Sequence, residues 1–125
     1  MFLIVTTIGF LSPMVVSAEE LKNESVNVAS RQLHTRSLAA SCAACHGTNG
    51  NSVGDNAKLA GKDKVDFVSK MFAFKSGERT ATVMHHHAKG LNAQEIADLA
   101  EYFNKQIPHT TTALAPQNLS VGGSN

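Results

Sequence analysis

Tryptophan is absent from this 125-residue chain, tyrosine occurs once, and only 6% of the residues are aromatic. A chain of this size buries a modest core, and here few large rings are available to fill it. Proline occurs three times and glycine nine times, too rarely for a low-complexity or collagen-like chain. An excess of one charge is also missing: 11 Lys plus Arg against 10 Asp plus Glu leave a net charge of +1. That balance provides no broad basic field for a nucleic-acid backbone, so no nucleic-acid partner is expected. With 17% charged and 42% hydrophobic residues, the chain as a whole also lacks the composition of a disordered protein. Its length leaves room for one domain.

A hydrophobic run long enough to span a bilayer is lacking too. Residues 2–16, FLIVTTIGFLSPMVV, are uncharged and mostly apolar, but Gly9, Ser12 and Pro13 interrupt them, and a spanning helix needs about 20 residues. The run leads into Val16-Ser17-Ala18 and then Glu19-Glu20, so residues 1–18 read as a secretory signal peptide cleaved after Ala18. The n-region has no Lys or Arg and relies on the amino group of Met1. A retained anchor is the competing reading, and membrane association is expected only if the N-terminus stays uncleaved. Export implies the periplasm.

The two cysteines both lie in Cys42-Ala43-Ala44-Cys45-His46. Exported thiols normally pair as a disulfide. A C-x-x-C redox pair wants a thioredoxin-like strand before it and has no use for His46, while a zinc site needs two further ligands at suitable spacing. The C-x-x-C-H run reads instead as the attachment site of one c-type haem. Two thiols at that spacing add to the two vinyl groups on one edge of the macrocycle. The following residue, His46, places an imidazole on the iron as proximal ligand.

An electron carrier fills the sixth iron position with a fixed ligand, whereas a gas-binding protein leaves it open. Met71 lies in a stretch with apolar residues at 67, 71 and 74 and at 65, 68 and 72, the pattern of a helix with a wide buried face, and reads as core. Met84 follows residues 76–83, which have no helical period and contain Gly77; a loop there turns a side chain toward the iron. His85, His86 and His87 point in different directions on any regular element and include no i, i+4 pair. They read as exposed surface, as do His34 and His109. A bis-His haem with one of the run replacing Met84 is the alternative.

Over roughly residues 29–106 the sequence resembles the small class I cytochromes c. Cys42-Ala43-Ala44-Cys45-His46-Gly47 is similar to their haem motif, Leu59-Ala60-Gly61 to the turn before their middle helix, and Phe74-Lys75-Ser76-Gly77-Glu78-Arg79 to the end of that helix. Met84-His85-His86-His87-Ala88-Lys89-Gly90-Leu91 is similar to the axial-methionine loop. Within the class the likeness is to monohaem c-553/c-554-type cytochromes and to the cytochrome subunit of flavocytochrome c sulfide dehydrogenases. The resemblance implies covalent haem at Cys42 and Cys45, axial iron ligation by His46 and Met84, and an all-α fold of three main helices and loops wrapped around the haem. Many relatives have proline where this chain has Ala57, in the segment whose carbonyl supports the proximal histidine. A backbone carbonyl can serve there without proline.

Around that site, residues 19–28 form a polar lead-in expected to be loose, and 29–107 the cytochrome domain. Ala29 to Ser41 reads as a first helix with Leu33, Ser37 and Ala40 on one face. Gly47 to Lys58 reads as a loop around the macrocycle. Asp63 is placed to cap the middle helix and Gly77 to end it. Asn92-Ala93-Gln94-Glu95 resembles a capping box, followed at helical spacing by Ile96, Leu99, Ala100, Phe103 and Ile107. Pro108 closes that helix, whose stripe is expected to cross the first near Ala39 and Ala40. Residues 108–125 read as a disordered tail. Phe67, Phe72, Phe74 and Phe103 are candidates to line the pocket.

His/Met ligation leaves no small-molecule substrate at the iron and points to one-electron transfer with redox partner proteins. Lys58, Lys62, Lys64, Lys70, Lys75 and Lys89 are candidates for steering partners, against the commoner reading of a solvated surface. The alternative, motivated by the resemblance, is a subunit that accepts electrons from a flavoprotein partner. A haem sensor or peroxidase with an open sixth position is a third reading.

Overall fold

The computed structural model describes residues 18–109; the signal-peptide reading of residues 1–18 lies outside it but for Ala18, and the tail reading of 108–125 but for Pro108 and His109. Four helices follow one another: α1 (Ala18–His46), α2 (Lys64–Ser76), α3 (Met84–Gly90) and α4 (Ala93–Asn104), with one 3-10 turn over Thr48–Gly50. No strand occurs among the described residues. The class is all-α, as expected. The chain divides into two units, one ending at Gln32 and one beginning at Leu33.

The first unit holds residues 18–32 of α1, all of them helical and exposed. The lead-in over 19–28 is therefore a helix, not a loose segment. No glycine or proline interrupts the chain from 18 to 46, and a helix already nucleated in its alanine-rich part extends at little cost. Glu19 and Glu20 lie in its first turn, where negative charge complements the helix dipole.

The second unit owes its core to α4. The Asn92 side chain accepts from the Glu95 N–H and the Glu95 carboxylate accepts from the Asn92 N–H, a complete capping box. The helix it starts buries Ile96, Leu99, Ala100 and Phe103 to 2% exposure or less. Burying each large side chain contributes about 1.5–3 kcal/mol. Ile107 is not part of this stripe: the helix ends at Asn104, and Ile107 is 79% exposed. In α2 the Asp63 side chain accepts from the Asp66 N–H at 2.9 Å, and Gly77 closes the helix at a left-handed φ of 85°, both as expected. Phe67 and Met71 are the buried residues of α2, and Phe67 packs on Phe103 with ring centroids 5.8 Å apart.

The face of α1 that enters this core is not the expected one. Thr35 and Ala39 are buried, with Leu38 and Cys42 half-buried, whereas Leu33, Ser37 and Ala40 are exposed, Leu33 by 70%. Ser37 and Ala40 bury too little surface to set a register. The thirteen-residue span between α1 and the turn before α2 is held by side chains, not by regular structure: Asn49 Oδ1 accepts from the Tyr102 hydroxyl at 2.9 Å, Asn51 donates to the Ile107 carbonyl at 3.1 Å, and Asn56 donates to the Cys45 carbonyl at 2.9 Å. Gly50, at φ 77°, lies where a Cβ would come within 2.8 Å of the Ala60 nitrogen, so the loop closes against the chain only because that residue has no side chain.

Candidate haem site

The C-x-x-C-H segment forms the last turns of α1. Three-residue spacing on a helix brings the Cys42 and Cys45 side chains to one face. Both thiols are free and both line a cavity of about 360 Å³. Burial pushes the Cys42 thiol up, with the Ser41 hydrogen bond opposing that rise more weakly.

His46 lines the same cavity, and its Nδ1 donates to the Ala57 carbonyl at 2.7 Å. A proton held on Nδ1 fixes the ring and leaves Nε2 with its lone pair for a metal. Ala57 thus makes with its backbone the bond expected of that segment, without proline. Gly47 turns the chain directly after His46 at φ 75°, and its N–H donates to the Ala43 carbonyl at 2.9 Å.

Met84 also lines this cavity. It is the first residue of α3, not part of a loop, and Val83 before it gives no side-chain cap. The irregular stretch precedes it, and the helix begins at the methionine itself. Met71 faces the cavity as well but belongs to the buried core, as its spacing implied.

Of the four phenylalanines singled out, Phe67 and Phe74 line the cavity. Phe103 is buried in the core behind it, and Phe72 is exposed. The α2 register turns Phe72 away, since it lies neither three nor four residues from Phe67. Leu99 completes the apolar wall from α4.

Arg79 and His87 are among the cavity residues that the sequence did not announce. Arg79 lines the opening with its guanidinium 5.2 Å above the Phe74 ring, a cation–π arrangement. His87 is exposed, as expected, and also lines the cavity from α3; it lies three residues after Met84, on the same helix face. Knowing that α3 is a helix would have found it. His85 and His86 stack on each other with centroids 3.8 Å apart and do not line the cavity. His34 is more than ordinary surface, because its Nε2 lies 2.8 Å from the Glu95 carboxylate.

The lysines divide in the same way. Lys62 and Lys70 both pair with Asp66 at 2.8 Å, Lys64 pairs with Glu101 at 2.8 Å, and the Lys75 ammonium lies on backbone carbonyls of α3. Of the six candidates for steering, Lys58 and Lys89 are exposed without such ties.

Two free thiols on one helix face, an imidazole with Nε2 available, a thioether and aromatic walls in one cavity fit a covalently held haem. Among the described residues no cluster of three or more His, Cys, Asp or Glu side chains is placed to hold a metal ion, which leaves the zinc reading without its further ligands.

The family model for cytochrome c matches residues 35–106. The chain is similar to the cytochrome subunit of sulfide dehydrogenase from Chlorobaculum tepidum, with 47% identity over 66 residues, 53% of this chain and 60% of that protein. It is similar to cytochrome c4 of Pseudomonas aeruginosa, with 38% identity over 86 residues, 68% of this chain and 42% of that protein. Cytochrome c-554(548) of Halomonas halodenitrificans is 35% identical over 69 residues, 52% of this chain and 83% of that protein. The chain thus spans less than two thirds of the first two relatives and most of the third. On the family match and the donor set together, the chain belongs to the cytochrome c family, electron carriers built on covalently bound haem c.

Proposed function

We propose that the chain is a periplasmic one-electron carrier in which Cys42 and Cys45 bind haem as thioethers and His46 and Met84 ligate the iron. The observation that carries this reading is the convergence of these four side chains on one apolar-walled cavity. Bound there, the haem iron supplies a ferrous/ferric couple.

Cys42 and Cys45 would each add an S–H across a vinyl group, sulfur to one carbon and hydrogen to the other, so no oxidant would be consumed. His46, held by the Ala57 carbonyl, presents a ring whose orientation is set by that hydrogen bond. The Met84 thioether, as the second ligand, would raise the reduction potential relative to a second imidazole and would fill the position a substrate needs. Phe67, Phe74 and Leu99 supply an apolar wall beside that set of side chains. Transfer then runs through brief complexes with redox partner proteins of the kind that bury little surface.

The test is an absorption spectrum of protein matured in a periplasm with haem-attachment machinery, oxidised and dithionite-reduced, then denatured. Sharp reduced bands, haem retained after denaturation and a weak far-red sulfur-to-iron band are expected. Haem without that band removes Met84 from the iron, and no retained haem defeats the reading.

A second reading has a specific likeness in its favour, the 47% identity to a sulfide dehydrogenase cytochrome subunit. Under it the chain is the haem subunit of a dehydrogenase and takes electrons from a flavoprotein. Chromatography from the native source at physiological salt separates the two: a carrier runs alone, a subunit does not. A sensor or peroxidase is separated from both by rapid carbon monoxide binding to the ferrous form.

A further inference from the structure

α3 is the helix least able to stand by itself. It has seven residues and no side-chain cap at its start, and isolated helices of that length are unstable in water. Two features hold it. Ala88 is completely buried against the core. At the other point of attachment, the Lys75 ammonium, half-buried in the last turn of α2, donates to the carbonyls of Ala88 at 3.4 Å, Lys89 at 3.2 Å and Leu91. Lysine carries three ammonium donors, and the carbonyl end of a helix is where a cation is favoured.

The same helix brings two iron-binding side chains to one cavity, Met84 and His87, on a shared face. Imidazole is the commonest protein ligand for metals, so the chemistry of these side chains does not by itself keep His87 off the iron. The choice between them depends on where α3 stands along its axis, since three residues correspond to about 4.5 Å of helix rise. We propose that Lys75 is the positioning residue that selects Met84 over His87 as axial ligand, by pinning the carbonyl end of α3. This inference rests on the haem reading above and adds to it the device that sets the sixth ligand.

The experiment uses the haem-loaded full chain. Lys75→Met keeps the aliphatic stem and removes every donor. The far-red sulfur-to-iron band is expected to fall about tenfold or more, the scale set by losing one charge-assisted hydrogen bond. The iron is expected to stay low-spin through His87, with a lower midpoint potential and no rapid carbon monoxide binding. Lys75→Arg is expected to restore the band. Adding His87→Ala to Lys75→Met opens the sixth position, read as rapid carbon monoxide binding to the ferrous form.

A Lys75→Met protein with the wild-type band and potential overturns the assignment, and so does a double variant whose spectra match Lys75→Met alone. Where Lys75→Met does not mature, Lys75→Gln is compared with Lys75→Arg, and an undiminished band in Lys75→Gln overturns it equally. A wild-type protein without the far-red band defeats the Met84 ligation itself, and the inference with it, before any variant is made.

Discussion

The His46 side of the cavity and the Met84 side are built by different means. His46 ends a helix that runs without interruption from Ala18, is followed by a glycine that only a turn of positive φ admits, and is braced by the Ala57 carbonyl and by Asn56 on the Cys45 carbonyl. Met84 opens a helix of seven residues with no cap, held by one buried alanine and one lysine from another helix. The first is braced from a loop eleven residues further along the chain, and the second by a lysine of another helix thirteen to sixteen residues away. On the proposed ligation, His46 at the end of a long helix is expected to be harder to displace than Met84 at the uncapped start of a seven-residue one.

The strongest way to break this asymmetry is to delete the ligands themselves. His46→Ala is expected to abolish low-spin holoprotein, while Met84→Ala retains covalent haem, loses the far-red band and binds carbon monoxide when reduced. Pyridine haemochrome and carbon monoxide spectra of the two variants decide this, and equal haem retention and equal spectra would falsify the asymmetry. Next in size is the shared core. Leu99→Ala, at a position 1% exposed, is expected to lower holoprotein stability by about 2–5 kcal/mol, read from denaturant unfolding.

Ala88→Leu sharpens the comparison further. Forcing extra volume into a completely buried site costs about 1–3 kcal/mol and is expected to weaken the far-red band before the bands that report haem attachment. Asn56→Ala, which removes one hydrogen bond on the His46 side, is expected to cost about 1 kcal/mol and to leave the far-red band intact. Loss of the band in Asn56→Ala would place both ligands under one control.

The smallest effect is electrostatic. Hydrogen bonds from Lys105 and then Lys64 lower the Glu101 carboxyl from 4.5 to about 2, and the Asn92 N–H, followed by His34, lowers Glu95. Carboxyls depressed in the folded state contribute stability that is present above their ordinary range and lost as pH falls from 4.5 toward 2. Both groups are partly open to solvent, so the contribution is screened by salt. Glu101→Gln is expected to flatten the acid limb of the stability profile slightly at low ionic strength and not at about 1 M salt.

Legibility in the sequence followed the same division. The Asp63 cap, the Gly77 stop and the capping box at Asn92 are local hydrogen-bonding patterns, and each is found where the residues imply it. The stripe of α4 was readable to Phe103 because large apolar side chains at helical spacing leave one face to bury. The buried face of α1 was not readable, because Thr35, Ala39 and Cys42 are no more apolar than the exposed Leu33. Lys75 looked like any surface lysine, since nothing near it in sequence announces the carbonyls it meets.

What the sequence alone determined is the chemistry that depends on spacing: two thiols and an imidazole within five consecutive residues, the helix caps, and the apolar stripe that seeds the core. Covalent geometry and local hydrogen bonds enforce those wherever the chain goes. Only the tertiary structure decided that Met84 begins a helix, that His87 joins it on the same face, and that Lys75 reaches across to hold their shared end. A helix of that length has too few internal hydrogen bonds to form alone, so its position is set by what the rest of the fold places against it.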